Sequence, residues 1–347
     1  MKALQLIEYC NLELVDIPMP EPIADEVLIR VSACGICGSD VHGYDGSTGR
    51  RVPPLVMGHE AAGVITSVGS QVFNWKEGDR VTFDSTISCG ACRFCKQGAS
   101  NLCDRRQVLG VSCGDYRRNG AFAEYVAVPA RIVYALPETL SFAEAAMIEA
   151  VSVALHAVHL TQPEQGSTAL VVGAGMIGLL ILQSLRVAGC GRIIVTDLDA
   201  TRLDLAKKLG ADQVIQAGNG SVIEQVRQAT DGSGADLVLE AVGTATTVQT
   251  SIEAARKGAT VTLVGNLAPV VPLPLQSVVT QQIRLQGSCA SAGEYPEAID
   301  LLAKKAIDVT PLLTAIAPLA DGPGWFARLH SGEANLMKIV LTLEQLQ

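Results

Sequence analysis

The sequence predicts an α/β chain of two domains, a mostly β domain followed by a doubly wound parallel sheet. Three observations carry this reading. Residues 1 to about 145 break into short β-like runs between Gly, Pro and Asp turns, among them EVLIRVSACG, EAAGVITSVG, GDRVTF and GAFAEYVAVP. Such runs are the pattern of a barrel or sandwich. Residues from about 146 to 285 instead alternate strand and helix patterns: TALVVGAG then MIGLLILQSLRVAG, RIIVTD then ATRLDLAKKLGA, DLVLEAVG then TTVQTSIEAARKG, then ATVTLVG. Alternation of this kind argues for a parallel sheet flanked by helices. The length of 347 residues fits two domains. Beyond them lie a helix-like run, EYPEAIDLLAKKAI, and a closing strand-like MKIVLTL.

Composition narrows the function classes. Hydrophobic residues make up 48% and charged residues 18%, enough apolar surface for a sizeable core. Aromatics are 4%, so Val, Leu, Ile and Ala must build that core. The net charge of −9, with no Lys/Arg block, argues against nucleic acid or an anionic membrane as partner. Residues 165–185 carry no charge, but Gly166, Gly173, Gly175 and Gly178 interrupt them after a β-like run. They read as a buried strand, a turn and a buried helix rather than a span. Glu8 interrupts the N-terminal stretch, so no secretory signal is expected. The expected location is the cytoplasm, where closely spaced cysteines more often bind metal than pair as disulfides.

Cys89-x2-Cys92-x2-Cys95-x7-Cys103 is the strongest single motif. Four thiolates can wrap one tetrahedral zinc and leave no position for substrate, so this zinc would be structural. The alternatives are an iron–sulfur cluster and four unrelated thiols; the long last spacing and the lack of Pro after Cys103 argue against the cluster. A second, dispersed set is Cys37 with His59 and Glu60. Mixed Cys, His and carboxylate ligands suit a catalytic zinc with an open position, although one Cys and one His can equally be core residues.

The dinucleotide signal lies in Gly173-Ala174-Gly175-Met176-Ile177-Gly178, a G-x-G-x-x-G placed after a strand and into a helix. Its glycines let the backbone approach a pyrophosphate, and the helix N-terminus offers N–H donors. Asp197 ends the next strand, nineteen residues past Gly178. A carboxylate there accepts from ribose hydroxyls and repels a 2′-phosphate, which predicts NAD; the alternative is a helix cap or turn residue. Val242-Gly243 and Val264-Gly265 end later strands and are candidates for the nicotinamide side, or simple turn glycines.

Gly58-His59-Glu60-x2-Gly63-x5-Gly69-x2-Val72, then Gly78-Asp79-Arg80-Val81 and the four-cysteine lobe, together resemble the zinc-dependent medium-chain dehydrogenase/reductase family. Met147-Ile148-Glu149-Ala150-Val151-Ser152-Val153-Ala154-Leu155-His156-Ala157 resembles a motif of its polyol (sorbitol-type) dehydrogenase branch, with Ala150 where that branch has proline. The resemblance implies a GroES-like catalytic domain over 1–147 with a zinc lobe at about 86–105. It implies a Rossmann dinucleotide-binding domain over 148–285, and a segment 286–347 that returns to the catalytic domain. It also implies two zincs per chain, NAD, an alcohol substrate and a homotetramer.

Carried over by position, Cys37 and His59 bind the catalytic zinc. Glu60 and Glu149 are each a ligand, an orienting carboxylate or a contact through water. Ser39 corresponds to the hydroxyl that bonds the reacting alcohol. His42 corresponds to the histidine that passes its proton out through the cofactor ribose, or is a surface histidine. Asp40 orients the turn or a ligand. Arg202 corresponds to an arginine beside the adenine, or is a solvated helix residue.

Cys34 reads as a packed thiol and His156 as core. Cys10, Cys113, Cys190 and Cys289 have no partner at metal-like spacing. The implied substrate is a polar secondary alcohol: a polyol, a sugar alcohol or its phosphate, a vicinal diol, or threonine. The branch's Arg-Tyr pair is replaced here by Gly287-Ser288-Cys289-Ala290-Ser291, which weakens sorbitol itself. Rival readings are a zinc-free quinone reductase of the same fold and a zinc-ribbon binding module or metal sensor. The metal-ligand residues argue against the first, and the acidic charge and glycine fingerprint against the second.

Overall fold

The structure, a computed structural model, describes residues 1–112 and 118–343. The chain divides into two compact units. One comprises Met1–Glu149, Tyr295–Ala303 and the chain from Val309 onward; the other comprises Ala150–Glu294 and Lys304–Asp308.

The first unit is built on an antiparallel sheet whose central strand is Glu26–Gly35. Nine of its ten residues are buried, which a run of Val, Leu, Ile, Ala and Cys permits. It pairs with Glu60–Val68, Tyr125–Pro129 and Lys338–Thr342. Gly35 therefore faces Glu60 on one side and Val340 on the other. That register brings the start of one strand and the start of another, far apart in the chain, to one end of the sheet. Leu4, Leu6, Ile29, Ile65, Phe83, Phe122 and Phe326 lie in the core beneath. The closing strand pairs in parallel with Leu313–Pro318.

The second unit holds six parallel strands: Thr168–Val172, Arg192–Asp197, Gln213–Gln216, Ala235–Glu240, Ala255–Leu263 and Arg284–Gly287. Numbered along the chain, their spatial order is 3-2-1-4-5-6, the order of the doubly wound dinucleotide fold. The helix Met176–Val187 follows the first strand closely and is mostly apolar, in keeping with its eight buried residues. Among the described residues, no helix is long and apolar enough to cross a membrane. One boundary differs from the sequence pattern. The helix over TTVQTSIEAARKG stops at Ala254, and Ala255 already pairs with Ala235. Strand pairing overrides the helical propensity of Ala255-Arg256-Lys257 there.

Candidate functional site

The first unit brings Cys37, His59 and Glu60 together, with one possible ligand atom from each lying within 4.8 Å of the others. Cys37 caps the helix Gly38–Tyr44, and its sulfur accepts from Ser39 N at 3.4 Å and from Ser39 Oγ at 3.3 Å. His59 and Glu60, at the start of their strand, are 6% and 1% exposed. Glu60 Oε2 accepts from Lys338 Nζ at 2.5 Å, and Lys338 also donates to Ile36 O at 3.2 Å. Burial works against charge on Lys338, but the Glu60 carboxylate holds its pKa above the ordinary lysine value.

The other oxygen, Glu60 Oε1, is buried with no hydrogen-bond partner, as is His59 Nδ1. Buried polar atoms are normally satisfied. An unpaired carboxylate oxygen beside a sulfur and an imidazole is what a zinc ion would satisfy, so the donor set fits zinc.

Asp40 lies beneath, fully buried. Its Oδ2 is 3.4 Å from His59 Nδ1, and its Oδ1 accepts from Arg51 Nε and Nη2 at 3.2 and 2.8 Å. Burial would raise the Asp40 carboxyl, but His59 and then Arg51 outweigh it and hold it well below the usual range. Burial likewise opposes charge on His59, yet the Asp40 and Cys37 charges raise it well above an ordinary histidine. Ser39 and His42 lie one turn apart on the Gly38–Tyr44 helix, with His42 exposed.

Glu149, near the start of the helix Ile148–Thr161, stays outside the close ligand set. Burial pushes its carboxyl up to about 7, and the charge on Glu60 adds to the rise. It retains partial exposure and so lies where water can reach it.

Cys89, Cys92, Cys95 and Cys103 form the second group, with their sulfurs all within 4.8 Å of one another. None is in a disulfide. Cys89 Sγ accepts from Ala91 N and Cys92 N at 3.5 and 3.4 Å, and Cys103 Sγ from Cys89 N and Arg105 N at 3.2 and 3.3 Å. The N–H groups of Ala91 and Cys92 hold the Cys89 thiol down to about 5. Partial burial and then Cys92 push Cys95 up to about 11. Backbone donors aimed at clustered sulfurs favour thiolates, so this set also fits zinc.

In the second unit, the strand Thr168–Val172 ends at the glycine loop, and Gly175 caps the helix. A Cβ on Gly178 would fall 1.8 Å from Gly173 O, so only glycine permits this tight turn. Met176 and Ile177 open the helix. Asp197 Oδ2 accepts from Ala174 N at 2.6 Å and Oδ1 from Asp199 N at 2.9 Å, so its carboxylate braces the loop. Asp199, not Asp197, caps the following helix, accepting from Thr201 N and Arg202 N. Arg202 is half-exposed, 3.8 Å from Asp199. Gly243 and Gly265 pack against each other, a Cβ on Gly265 meeting Gly243 N at 2.3 Å. The strands stop earlier than the sequence pattern suggests, at Glu240 and Leu263, so Val242 and Val264 lie with these glycines in the turns just beyond.

Three residues escaped the sequence reading. Arg51 and Lys338 are the buried cations of the first unit's site. Glu240, fully buried, accepts from Val242 N and Gly243 N at 2.9 and 2.7 Å and so shapes that strand end. Lys338 alone left a signal, a charge opening an otherwise apolar strand. Cys34 is fully buried, as a packed thiol should be. His156 is largely buried, but it pairs with Glu294 Oε1 at 2.7 Å. Cys10 and Cys289 are exposed and Cys190 buried, while Cys113 lies outside the described residues.

Comparison with known proteins adds a third line. Residues 23–138 match the family model described as alcohol dehydrogenase GroES-like domain, and residues 177–304 the one described as zinc-binding dehydrogenase. The chain is 36% identical to sorbitol dehydrogenase of Bacillus subtilis (strain 168) over 318 residues, 90% of this chain and 89% of that one. It is 35% identical to D-arabitol-phosphate dehydrogenase of Enterococcus avium over 339 residues, 96% and 94% of the two chains. A structure from Sinorhizobium meliloti, described as a zinc-binding dehydrogenase and bound to NADP, matches with a TM-score of 0.91 and 32% identity, covering 98% of each chain.

Proposed function

Since the chain belongs to the zinc-dependent medium-chain dehydrogenase family, in its polyol dehydrogenase branch, we propose that it oxidises a polar secondary alcohol to the ketone with NAD as hydride acceptor. That it is a zinc- and nicotinamide-dependent alcohol or polyol oxidoreductase follows from the family. The proposal adds the cofactor, the substrate class and the residue roles. The observation that carries it is the convergence of Cys37, His59 and Glu60, with one buried oxygen unpaired.

In this reading Cys37, His59 and Glu60 hold the catalytic ion, which when bound supplies a Lewis acid that makes an alcohol hydroxyl more acidic. Ser39 bonds the reacting hydroxyl, accepting its proton as it gives up its own, and His42, one turn along the helix, is the exit by which a proton reaches solvent. Asp40, its Oδ2 3.4 Å from His59 Nδ1, favours the present ring orientation by its charge. Lys338 holds one Glu60 oxygen and leaves the other for the ion. Glu149 acts from outside the ligand set, through water. Cys89, Cys92, Cys95 and Cys103 hold a second, structural ion, giving two per chain.

The glycine loop, from Gly173 through Gly175, Met176 and Ile177 to Gly178, receives the pyrophosphate, and Arg202 lies on the adenine side. Val242, Gly243, Val264 and Gly265 line the nicotinamide end. The NAD preference rests on Asp197: of its roughly four acceptor positions one takes Ala174 N of the glycine loop and one Asp199 N of the following turn, and the remainder suits ribose hydroxyls while repelling a 2′-phosphate. By the family resemblance the enzyme is a homotetramer, which light scattering tests; the cytoplasmic location expected from the sequence is tested by fractionation.

A sugar-alcohol phosphate is the second substrate reading. The Arg-Tyr pair of sorbitol-type enzymes is absent at 287–291, and a relative named for D-arabitol phosphate covers nearly the whole chain. The deciding experiment is a panel of polyols, polyol phosphates, vicinal diols and threonine, each with NAD and NADP, followed by nicotinamide absorbance. Turnover with a polyol, a polyol phosphate or a diol and NAD is expected. Turnover confined to threonine or to NADP would refute the reading.

A further inference from the structure

We propose that Arg51 is a positioning residue for this reaction, a single buried guanidinium that holds Ser39 and Asp40 and thereby both sides of the zinc-ligand set. Arg51 is 3% exposed. Its stem lies against Gly43, where a Cβ would fall 2.2 Å from Arg51 Cγ, so the slot it occupies exists only because residue 43 is glycine. Nε and Nη2 donate to Asp40 Oδ1 at 3.2 and 2.8 Å, and Nη2 donates also to Ser39 Oγ at 3.2 Å. Each acceptor touches a different ligand. Ser39 Oγ lies 3.3 Å from Cys37 Sγ, and Asp40 Oδ2 lies 3.4 Å from His59 Nδ1.

The chemistry of the groups gives this geometry a consequence. A serine hydroxyl has one donor and two acceptor directions and rotates to suit. A guanidinium always donates, so Arg51 fills one lone pair of Ser39 and directs the remaining donor and acceptor. It also keeps a fixed positive charge behind the oxygen through which the substrate proton passes. Lysine cannot replace it, because a point charge on a flexible stem does not bridge two acceptors in one plane. Through Asp40, the same group holds the His59 ring in its ligating orientation.

The inference rests on the reading of Ser39 as the partner of the reacting alcohol, and the test separates the two. Arg51→Lys, Ser39→Ala and the double variant are compared as zinc-loaded full-length enzymes, with Arg51→Gln as a second variant should the lysine form fail to fold. The readouts are kcat and KM, and the rate at which zinc passes to a chromogenic chelator. Arg51→Lys should lower kcat by about tenfold or more with KM for NAD nearly unchanged, and should release one zinc equivalent about tenfold faster than wild type. The other equivalent should leave at the wild-type rate. In the Ser39→Ala background, most of the kcat effect of Arg51→Lys should vanish, since the two act together. Wild-type kcat and zinc release in Arg51→Lys, or a kcat loss undiminished in the double variant, would overturn the proposal. Ser39→Ala with wild-type kcat would sink the Ser39 reading instead, while the zinc-release rate still decides the hold of Arg51 on Asp40 and His59.

Discussion

Cys37 combines two circumstances that suit a metal-bound sulfur: it caps a helix, and it lies beside a buried histidine and carboxylate. Cys37→Ser should therefore abolish turnover and lower zinc by one equivalent, with NADH binding by fluorescence unchanged. Lys338→Met should destabilise the first unit by about 1–3 kcal/mol in denaturant unfolding, because it leaves Glu60 Oε2 without its donor at 0% side-chain exposure. Asp197→Ala should reduce the NAD over NADP preference in kcat/KM by about tenfold or more, the worth of hydrogen bonds to a charged group. At this scale the sequence was readable where residue type and spacing coincide, as at Cys89, His59 and Gly178. It was not readable at Arg51, which sits in a polar, turn-rich loop beside Arg50. Nor does local pattern pair Lys338 with a carboxylate 278 residues away.

Among the elements, the cysteine lobe and the helix Ile148–Thr161 make separable claims. Cys92→Ser should remove the second zinc equivalent and expose residues 86–105 to proteolysis, since a structural zinc contributes on the order of 10 kcal/mol to its segment. On the helix, His156 and His159 face Glu294, at 2.7 and 3.8 Å. Burial would raise the Glu294 carboxyl, but its bonds to His156 and His159 hold it well below the usual glutamate range. A carboxylate depressed on folding stabilises above its unfolded pKa of about 4.3 and loses that contribution as pH falls toward the folded value. Glu294→Gln should thus cost on the order of 1–2 kcal/mol at neutral pH, with the gap from wild type closing below about pH 4 in acid unfolding. The strand–turn–helix at the glycine loop was legible because its pattern is local. The end of the helix at Ala254 was not, because pairing of Ala255 with Ala235 decides it.

For the whole molecule, the alternation of strand and helix foretold a parallel sheet, and the order 3-2-1-4-5-6 is the form it takes. The β-rich unit was visible only as a list of strands. Its defining pairing, the last strand against Glu26–Gly35, joins opposite ends of the chain and leaves no mark in composition. The central claim concerns two zinc sites with different duties in one NAD-linked enzyme. Its most direct test is metal analysis by mass spectrometry during graded chelation, with polyol-dependent NAD reduction and circular dichroism followed on the same samples. The account predicts two zincs per chain, loss of all turnover with the first equivalent while the dichroism is retained, and recovery when zinc is returned. A chain that holds one zinc or none, or one that keeps turning over after its first zinc has gone, would contradict it.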